Sequence, residues 1–248
     1  MNNESRPFLI NCDMGESYGN YRIGNDEQIM PFINAANIAC GMHGGDPYHI
    51  EKTIKLALKH GINIGAHPGY PDLQGFGRRV IPMKNEELSS FIKYQVAALK
   101  GLVEANGGQL QYVKPHGALY NHIAKNEEPA KVVIEAIRSI DANLSIMGLA
   151  GSHMRKLCNE AQMLFIAEAF ADRAYENDGQ LRSRALEGSL LTNPQQAKEQ
   201  VLSILNEGKV NAHSGKSIPL KAESFCIHGD NKAAVDIAQS VHQALKSN

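Results

Sequence analysis

An apolar run, a polar loop and a segment of helical period recur along this chain at intervals of roughly 35 residues, a repeat that leaves few folds other than a parallel α/β architecture. Seven runs read as strands: 8–13, 36–40, 63–67, 111–114, 144–149, 164–169 and 224–228. Helical patterns follow at 26–34, 47–60, 85–106, 128–140, 152–161, 194–206 and 231–245. Asp46-Pro47 and Asn193-Pro194 read as N-cap and first helical residue, and Gly61, Gly107 and Gly208 stand where helices end. Strict alternation requires right-handed crossovers, which seven units satisfy either as a closed barrel short of the usual eight strands or as a doubly wound open sheet. An open sheet gathers its site at one switch point, whereas here nearly every strand end carries a polar group, so the expected fold is a seven-stranded parallel β/α barrel.

Six stretches place a histidine or a carboxylate just beyond a strand: N-C-D-M-G-E (11–16), C-G-M-H-G-G-D-P (40–47), G-A-H-P-G-Y-P-D (65–72), V-K-P-H-G-A-L-Y (113–120), E-A-F-A-D-R (168–173) and C-I-H-G-D (226–230). Strand C-terminal ends share one face of such a fold, so these groups converge on one cleft. Residues two apart on a strand face the same way, about 7 Å apart. Asn11 with Asp13, Lys114 with His116, and Glu168 with Asp172 are therefore same-side sets. Buried without partners such groups cost several kcal/mol each, which implies a shared network.

Asp13, His67, Lys114, His116 and Glu168 are the candidate catalytic residues. Glu16, His43, Asp46, Asp72, Arg78, Arg79, Asp172, Arg173, His228 and Asp230 are the candidates for holding a ligand. Simpler readings stand beside these: His43 and His67 as satisfied loop histidines, and Asp13 and Glu16 as caps of a following helix. The loop with Gly65, Gly69, Gly75 and Gly77 suits close approach to a ligand, with Arg78 and Arg79 on an anion, or else forms a surface Ω-loop. His49, His60, His122 and His242 read as surface residues. Lys114, as a cleft residue, is expected to be replaceable without harm to folding.

Composition removes other classes. With 25 Lys+Arg spread evenly among 26 Asp+Glu there is no basic stripe for nucleic acid. No apolar window suits a membrane span or a leader, so a cytoplasmic protein of one domain, 1–248, is expected. Cys12, Cys40, Cys158 and Cys226 form no Cys-x-x-Cys pair; core filling and a soft metal site are both open. Ser214 to Ser217 reads S-G-K-S, but a phosphate-binding loop needs glycine where Val210 stands. Val80 likewise breaks the dinucleotide pattern begun by Gly75 and Gly77, and there is no Gly-x-Ser-x-Gly elbow.

The six stretches, with G-A-H-P-G-Y-P-D-L-Q-G-F-G-R-R (65–79) and D-G-x-L-x-x-R (178–184) added, resemble the LamB/YcsF family over nearly the whole chain and in the family's order. Met42 and Gly44 stand where Phe and Ala are commoner. The resemblance implies a seven-stranded barrel akin to glycoside hydrolase and polysaccharide deacetylase barrels. It also implies a complex with two further 5-oxoprolinase subunits, of B and C types, that hydrolyses 5-oxo-L-proline to L-glutamate while consuming ATP. With no ATP loop in this chain, the partners would bind ATP and phosphorylate the lactam, and this subunit would open the ring. Asp13, or failing that Glu168, would take a proton from water; His116, His67 or Lys114 would meet the oxyanion or the ring nitrogen; Arg78, Arg79 or Arg173 would hold an anionic group. Two alternatives are a divalent-metal deacetylase with ligands among Asp13, His43, His67 and His228, and a non-catalytic scaffold that docks other subunits.

Overall fold

Alternation along each strand decides what lines the barrel and what meets the helices. The computed structural model describes residues 8–229 and 231–246, so Asp230 lies outside the described residues. Strands β1 (Leu9–Met14), β2 (Ala35–Ala39), β3 (Asn63–His67), β4 (Leu110–Val113), β5 (Ser145–Leu149) and β6 (Phe165–Phe170) pair in parallel in chain order. A short antiparallel hairpin, β7 (Lys209–Asn211) and β8 (Ser217–Pro219), stands apart from them. Strand β9 (Ser224–Ile227) then pairs with both β6 and β1 and closes a seven-stranded barrel. On β1, Ile10, Cys12 and Met14 point outward into the core shared with the helices, while Leu9, Asn11 and Asp13 point inward.

The helices are α1 (Asp26–Ile29), α2 (Pro47–Lys59), α3 (Asn85–Ala105), α4 (Gly117–Lys125), α5 (Glu127–Ile140), α6 (Met154–Glu160), α7 (Pro194–Glu207) and α8 (Ala234–Lys246). They pack on the barrel through apolar stripes such as Ala130, Val133, Ile134 and Ile137 of α5. Each fully buried valine or isoleucine side chain of this kind contributes about 1.5–3 kcal/mol. Asp46 caps α2 by accepting the His49 amide, and Asn193 caps α7 by accepting the amides of Gln195 and Gln196. Gly208 ends α7 in the left-handed region at φ 63°, where a Cβ would be strained.

The expected strands and the barrel are present, and two local expectations change. The segment 26–34 is a single helical turn followed by a 3-10 turn, Met30–Phe32, because Pro31 lacks the amide that would continue the α-helix. Helix α4 lay hidden behind Pro115 and Gly117, two residues that ordinarily break helices. The stretch 171–193 is an irregular excursion held by isolated bridges, Arg173 to Leu190 and Tyr175 to Leu181.

At the lower end of the barrel the Tyr112 ring lies directly over Gly65, and its hydroxyl donates across the interior to Asn37 Oδ1 at 2.7 Å. A Cβ on Gly65 would sit 2.2 Å from the Tyr112 ring. Gly65→Ala is therefore expected to overpack the barrel and cost about 1–3 kcal/mol, read as a lower urea midpoint. An unchanged midpoint would show that the ring moves freely.

Candidate active site

Three strands deliver one buried ammonium and its counter-charges. Lys114, just beyond β4, is only 2% exposed. Its Nζ lies 2.9 Å from Asp13 Oδ1 of β1 and 2.9 Å from Glu168 Oε1 of β6. It also donates to Asn11 Oδ1 at 3.2 Å and to Cys226 Sγ at 3.1 Å, and sits 5.6 Å from the Phe170 ring centre. The Glu168 contact is a charge pair. Burial works against the ammonium, but Asp13, Cys226 and Glu168 outweigh it and hold its pKa well above the ordinary lysine value. Burial likewise disfavours the Asp13 carboxylate, yet His67 and Lys114 pull its pKa well below the usual range, so it stays ionised. Asn37 Nδ2 adds a 2.8 Å hydrogen bond to Asp13 Oδ1. Tyr120, buried against this group, has its hydroxyl pushed up by burial and then by Glu168.

Beside Asp13 stands a group of histidines. Carbonyl oxygens only accept, so His67 Nδ1, 2.6 Å from the Lys114 carbonyl, carries a proton, as does His116 Nε2, 2.9 Å from the Phe76 carbonyl. Each ring thus turns its other nitrogen inward, and His67 Nε2 and His116 Nδ1 face each other at 2.9 Å. Asp13 Oδ2 is 3.2 Å from His67 Nε2. Glu16 Oε1 lies 3.2 Å from His43 Nε2 and 3.5 Å from His116 Nδ1. His43 stacks on His116 with ring centres 3.6 Å apart and planes within 3°. Burial drives the pKa of His43 well below its ordinary value and that of His116 down to about 3, so both rings are neutral. The glycine loop makes this packing possible: Gly77, at φ +64°, leaves no more than 2.7 Å for a Cβ beside both His116 and His43.

Beyond β6 the chain returns over the cleft. Asp172, fully buried, accepts from His228 Nδ1 at 2.8 Å, the His228 amide at 3.1 Å and Asn231 Nδ2 at 3.2 Å, and so orients His228, whose ring stacks on Phe170. Arg173 donates to the carbonyls of Ser189 and Arg182 and pins the excursion down; burial, then Arg184, lowers its pKa to about 10. The resulting cleft has a volume of about 380 Å³, the scale of a small-molecule site. Asp13 and Glu16 are its carboxylates, against six cations: Arg78, Lys114, Lys125, Arg173, Arg182 and Arg184. A lining of this balance favours an anionic ligand.

The structure brings most of the sequence candidates together. Asp13, Glu16, His67, Arg78, Lys114, His116, Arg173 and His228 line the cleft. Glu168, His43 and Asp172 stand directly behind it, each touching a lining residue. Three candidates are placed elsewhere. Asp46 is occupied as the α2 cap and also accepts from Gly19 and His49. Asp72 and Arg79 pair with each other, the guanidinium Nε 3.1 Å from Oδ1, and neither lines the cleft. They staple the glycine loop, so the Ω-loop reading holds for Arg79 while Arg78 faces the cleft. The metal ligands considered from sequence are divided between two groups, His43 and His67 with Glu16 and His116, and Asp13 and His228 with Cys226, the ligand atoms of each group lying within 4.8 Å of one another. Asn37 and Tyr120 are site residues that the sequence does not single out, although a lone Asn within the apolar run A-A-N-I-A-C is a signal, and Cys226, open there as a soft metal ligand, accepts from Lys114 instead. Cys12, Cys40 and Cys158 pack in the outer core as neutral thiols, burial pushing Cys40 and Cys158 up to about 12. His49, His122 and His242 are partly buried and hydrogen-bonded rather than surface groups; His60 alone of the four is exposed.

Among the described residues no helix is long and apolar enough to cross a membrane. Comparison with known proteins is consistent along the whole chain. A protein of Syntrophobacter fumaroxidans, named as the A-type subunit of 5-oxoprolinase, is 46% identical over 238 residues, covering 96% of this chain and 94% of its own length. The protein of that name from Acinetobacter baylyi is 47% identical over 236 residues, covering 95% and 93%. The crystal structure of a lactam utilization protein from Thermus thermophilus superposes with a TM-score of 0.91 at 39% identity, covering 98% of this chain and 97% of that one. The LamB/YcsF family model matches residues 9–248. With relatives of this similarity over this length, the chain belongs to the LamB/YcsF family.

Proposed function

We propose that this chain is the ring-opening subunit of an ATP-dependent 5-oxoprolinase, acting on 5-oxo-L-proline that B- and C-type partner subunits have phosphorylated. The observation that carries the reading is the Asp13–Lys114–Glu168 network at the floor of a cleft whose walls are cationic. The names borne by its relatives supply the substrate. A lactam amide resists hydrolysis, and phosphorylation of its oxygen at the expense of ATP makes the ring carbon electrophilic. Water adds to that carbon, the ring C–N bond breaks as nitrogen takes up a proton, and the acyl phosphate left behind passes its phosphoryl group to a second water. Asp13 orients the first water and, as a base of low pKa, takes its proton late, as the C–O bond forms. Lys114 offsets the negative charge on the tetrahedral carbon's oxygens. Arg78 and Arg173 hold the substrate carboxylate or the phosphoryl group.

The nucleotide belongs to the partners in this reading. Residues 214–217, S-G-K-S, form the tip of the β7–β8 hairpin rather than a loop between a strand and a helix. The test is glutamate release from 5-oxoproline and ATP by the purified chain, by the partner subunits and by all together. Release only by the full set supports the reading; robust turnover by the lone chain contradicts the division of labour.

The two adjacent arginines provide a second test. Arg78→Lys keeps the charge but loses the planar fork, so a rise in apparent KM of about 5–100-fold is expected, the equivalent of about 1–3 kcal/mol. Arg79, whose side chain is 59% exposed, pairs with Asp72, and Arg79→Lys should leave KM within about twofold, with little effect on stability. Equal effects of the two changes on KM would contradict the placement of Arg78 on the ligand.

A further inference from the structure

Two imidazole lone pairs cannot face each other at 2.9 Å without a cation between or beside them. The outer N–H of His67 is fixed on the Lys114 carbonyl and that of His116 on the Phe76 carbonyl, which commits both inner nitrogens to being bare when the rings are neutral. Histidines that bind metal ions are held in this way, the outer N–H on a backbone carbonyl and the inner nitrogen turned to the ion. Glu16 brings a carboxylate oxygen to the same point, 3.5 Å from His116 Nδ1. We propose that Glu16, His67 and His116 bind a divalent transition-metal ion at the wall of the cleft, a site that stands on these side chains and does not depend on the lactam reading.

His43 belongs to the support of this site. Its ring is parallel to that of His116 and stacked on it, so the two rings cannot both point an in-plane lone pair at one ion. Its Nε2 instead donates to Glu16 at 3.2 Å and fixes the carboxylate. A second group, Asp13, Cys226 and His228, is as closely spaced, but the Lys114 ammonium sits 2.9 Å from Asp13 and 3.1 Å from Cys226 and repels a cation there. Two imidazoles and one carboxylate suit Zn²⁺, Co²⁺, Mn²⁺ or Fe²⁺ and not Mg²⁺ or Ca²⁺, which favour all-oxygen shells. All three ligands line the cleft, leaving the remaining positions to water or to a ligand oxygen, which such an ion polarises as a Lewis acid.

The competing arrangement is a single proton shared between His67 and His116, the imidazolium paired with Asp13 Oδ2 at 3.2 Å. Tag-free, chelator-treated chain titrated with Co²⁺ and, separately, Zn²⁺ decides between them. Expected are uptake of one ion per chain, Co²⁺ d–d bands without a thiolate charge-transfer band, and a higher Tm in the presence of either ion. His116→Ala and Glu16→Gln should each weaken Co²⁺ binding on the order of 10²-fold or more, and His43→Ala by about 10–100-fold. The wild-type titration stands whether or not those variants fold. Absence of uptake with an unmoved Tm overturns the proposal in favour of the shared proton, and binding unweakened in both ligand variants overturns its location.

Discussion

Lys114→Met is expected to lower the stability of the fold by about 3–5 kcal/mol, the usual cost of removing one partner from a buried charge group. For a chain of this length that corresponds to a fall in Tm of roughly 10 °C. Methionine fills nearly the same space, so the loss is electrostatic: Asp13 and Glu168, both within 2.9 Å of Nζ, would be left buried without their common cation. The diagnostic is the double variant. Adding Glu168→Gln removes one of the two stranded charges, so Lys114→Met/Glu168→Gln should be more stable than Lys114→Met alone, an interaction of the size expected for side chains in direct contact. Thermal denaturation of the four proteins in that cycle measures it. A single variant as stable as the parent, or a double variant less stable than both singles combined, would show that the ammonium is not the charge partner described here. ATP-dependent glutamate release should also vanish in the single variant.

Asp13→Asn is the complementary case, with a large effect on rate and a small one on folding. Asparagine keeps the shape and the acceptor oxygen that Lys114 and Asn37 use at 2.9 and 2.8 Å. What it loses is the charge and the ability to take a proton from water. In the complete complex kcat is expected to fall by about 10²–10⁴-fold, the range for a lost general base, with KM little changed. Normal turnover in the presence of a correctly folded variant would leave the chain a scaffold for its partners rather than the site of hydrolysis.

Much of this was legible in residue order because barrel geometry turns position into proximity. Asp13, Lys114 and Glu168 are far apart in the chain, yet each lies at the end of a strand-like run, and the strand ends share a face; that is why residue order alone groups the ammonium with its two carboxylates. What sequence could not supply was how deeply each group is buried. Lys114 read as a cleft residue dispensable to folding, but at 2% exposure it is also a structural counter-ion. Arg78 and Arg79 are indistinguishable as neighbours in a glycine loop, and it is the pairing of Asp72, seven residues upstream, with Arg79 that sets the two apart. Asp46 was read both as a cap and as a ligand-binding residue, and its two backbone amide partners support the first. Helix α4 is not legible in the sequence because Pro115 and Gly117 carry local signals against helix that the packing of Leu119, Ile123 and Ala124 overrides. The pairing of His67 with His116 depends on two backbone carbonyls, which no residue pattern reveals.

The proposed division of labour is open to direct observation in a rapid-quench single turnover, with the Asp13→Asn chain assembled with wild-type partners, labelled 5-oxoproline and ATP. The prediction is that phosphorylated 5-oxoproline forms and accumulates while glutamate does not, because the partners still activate the lactam and this chain no longer opens it. Glutamate appearing at the wild-type rate, with no phosphorylated lactam detected, would contradict it.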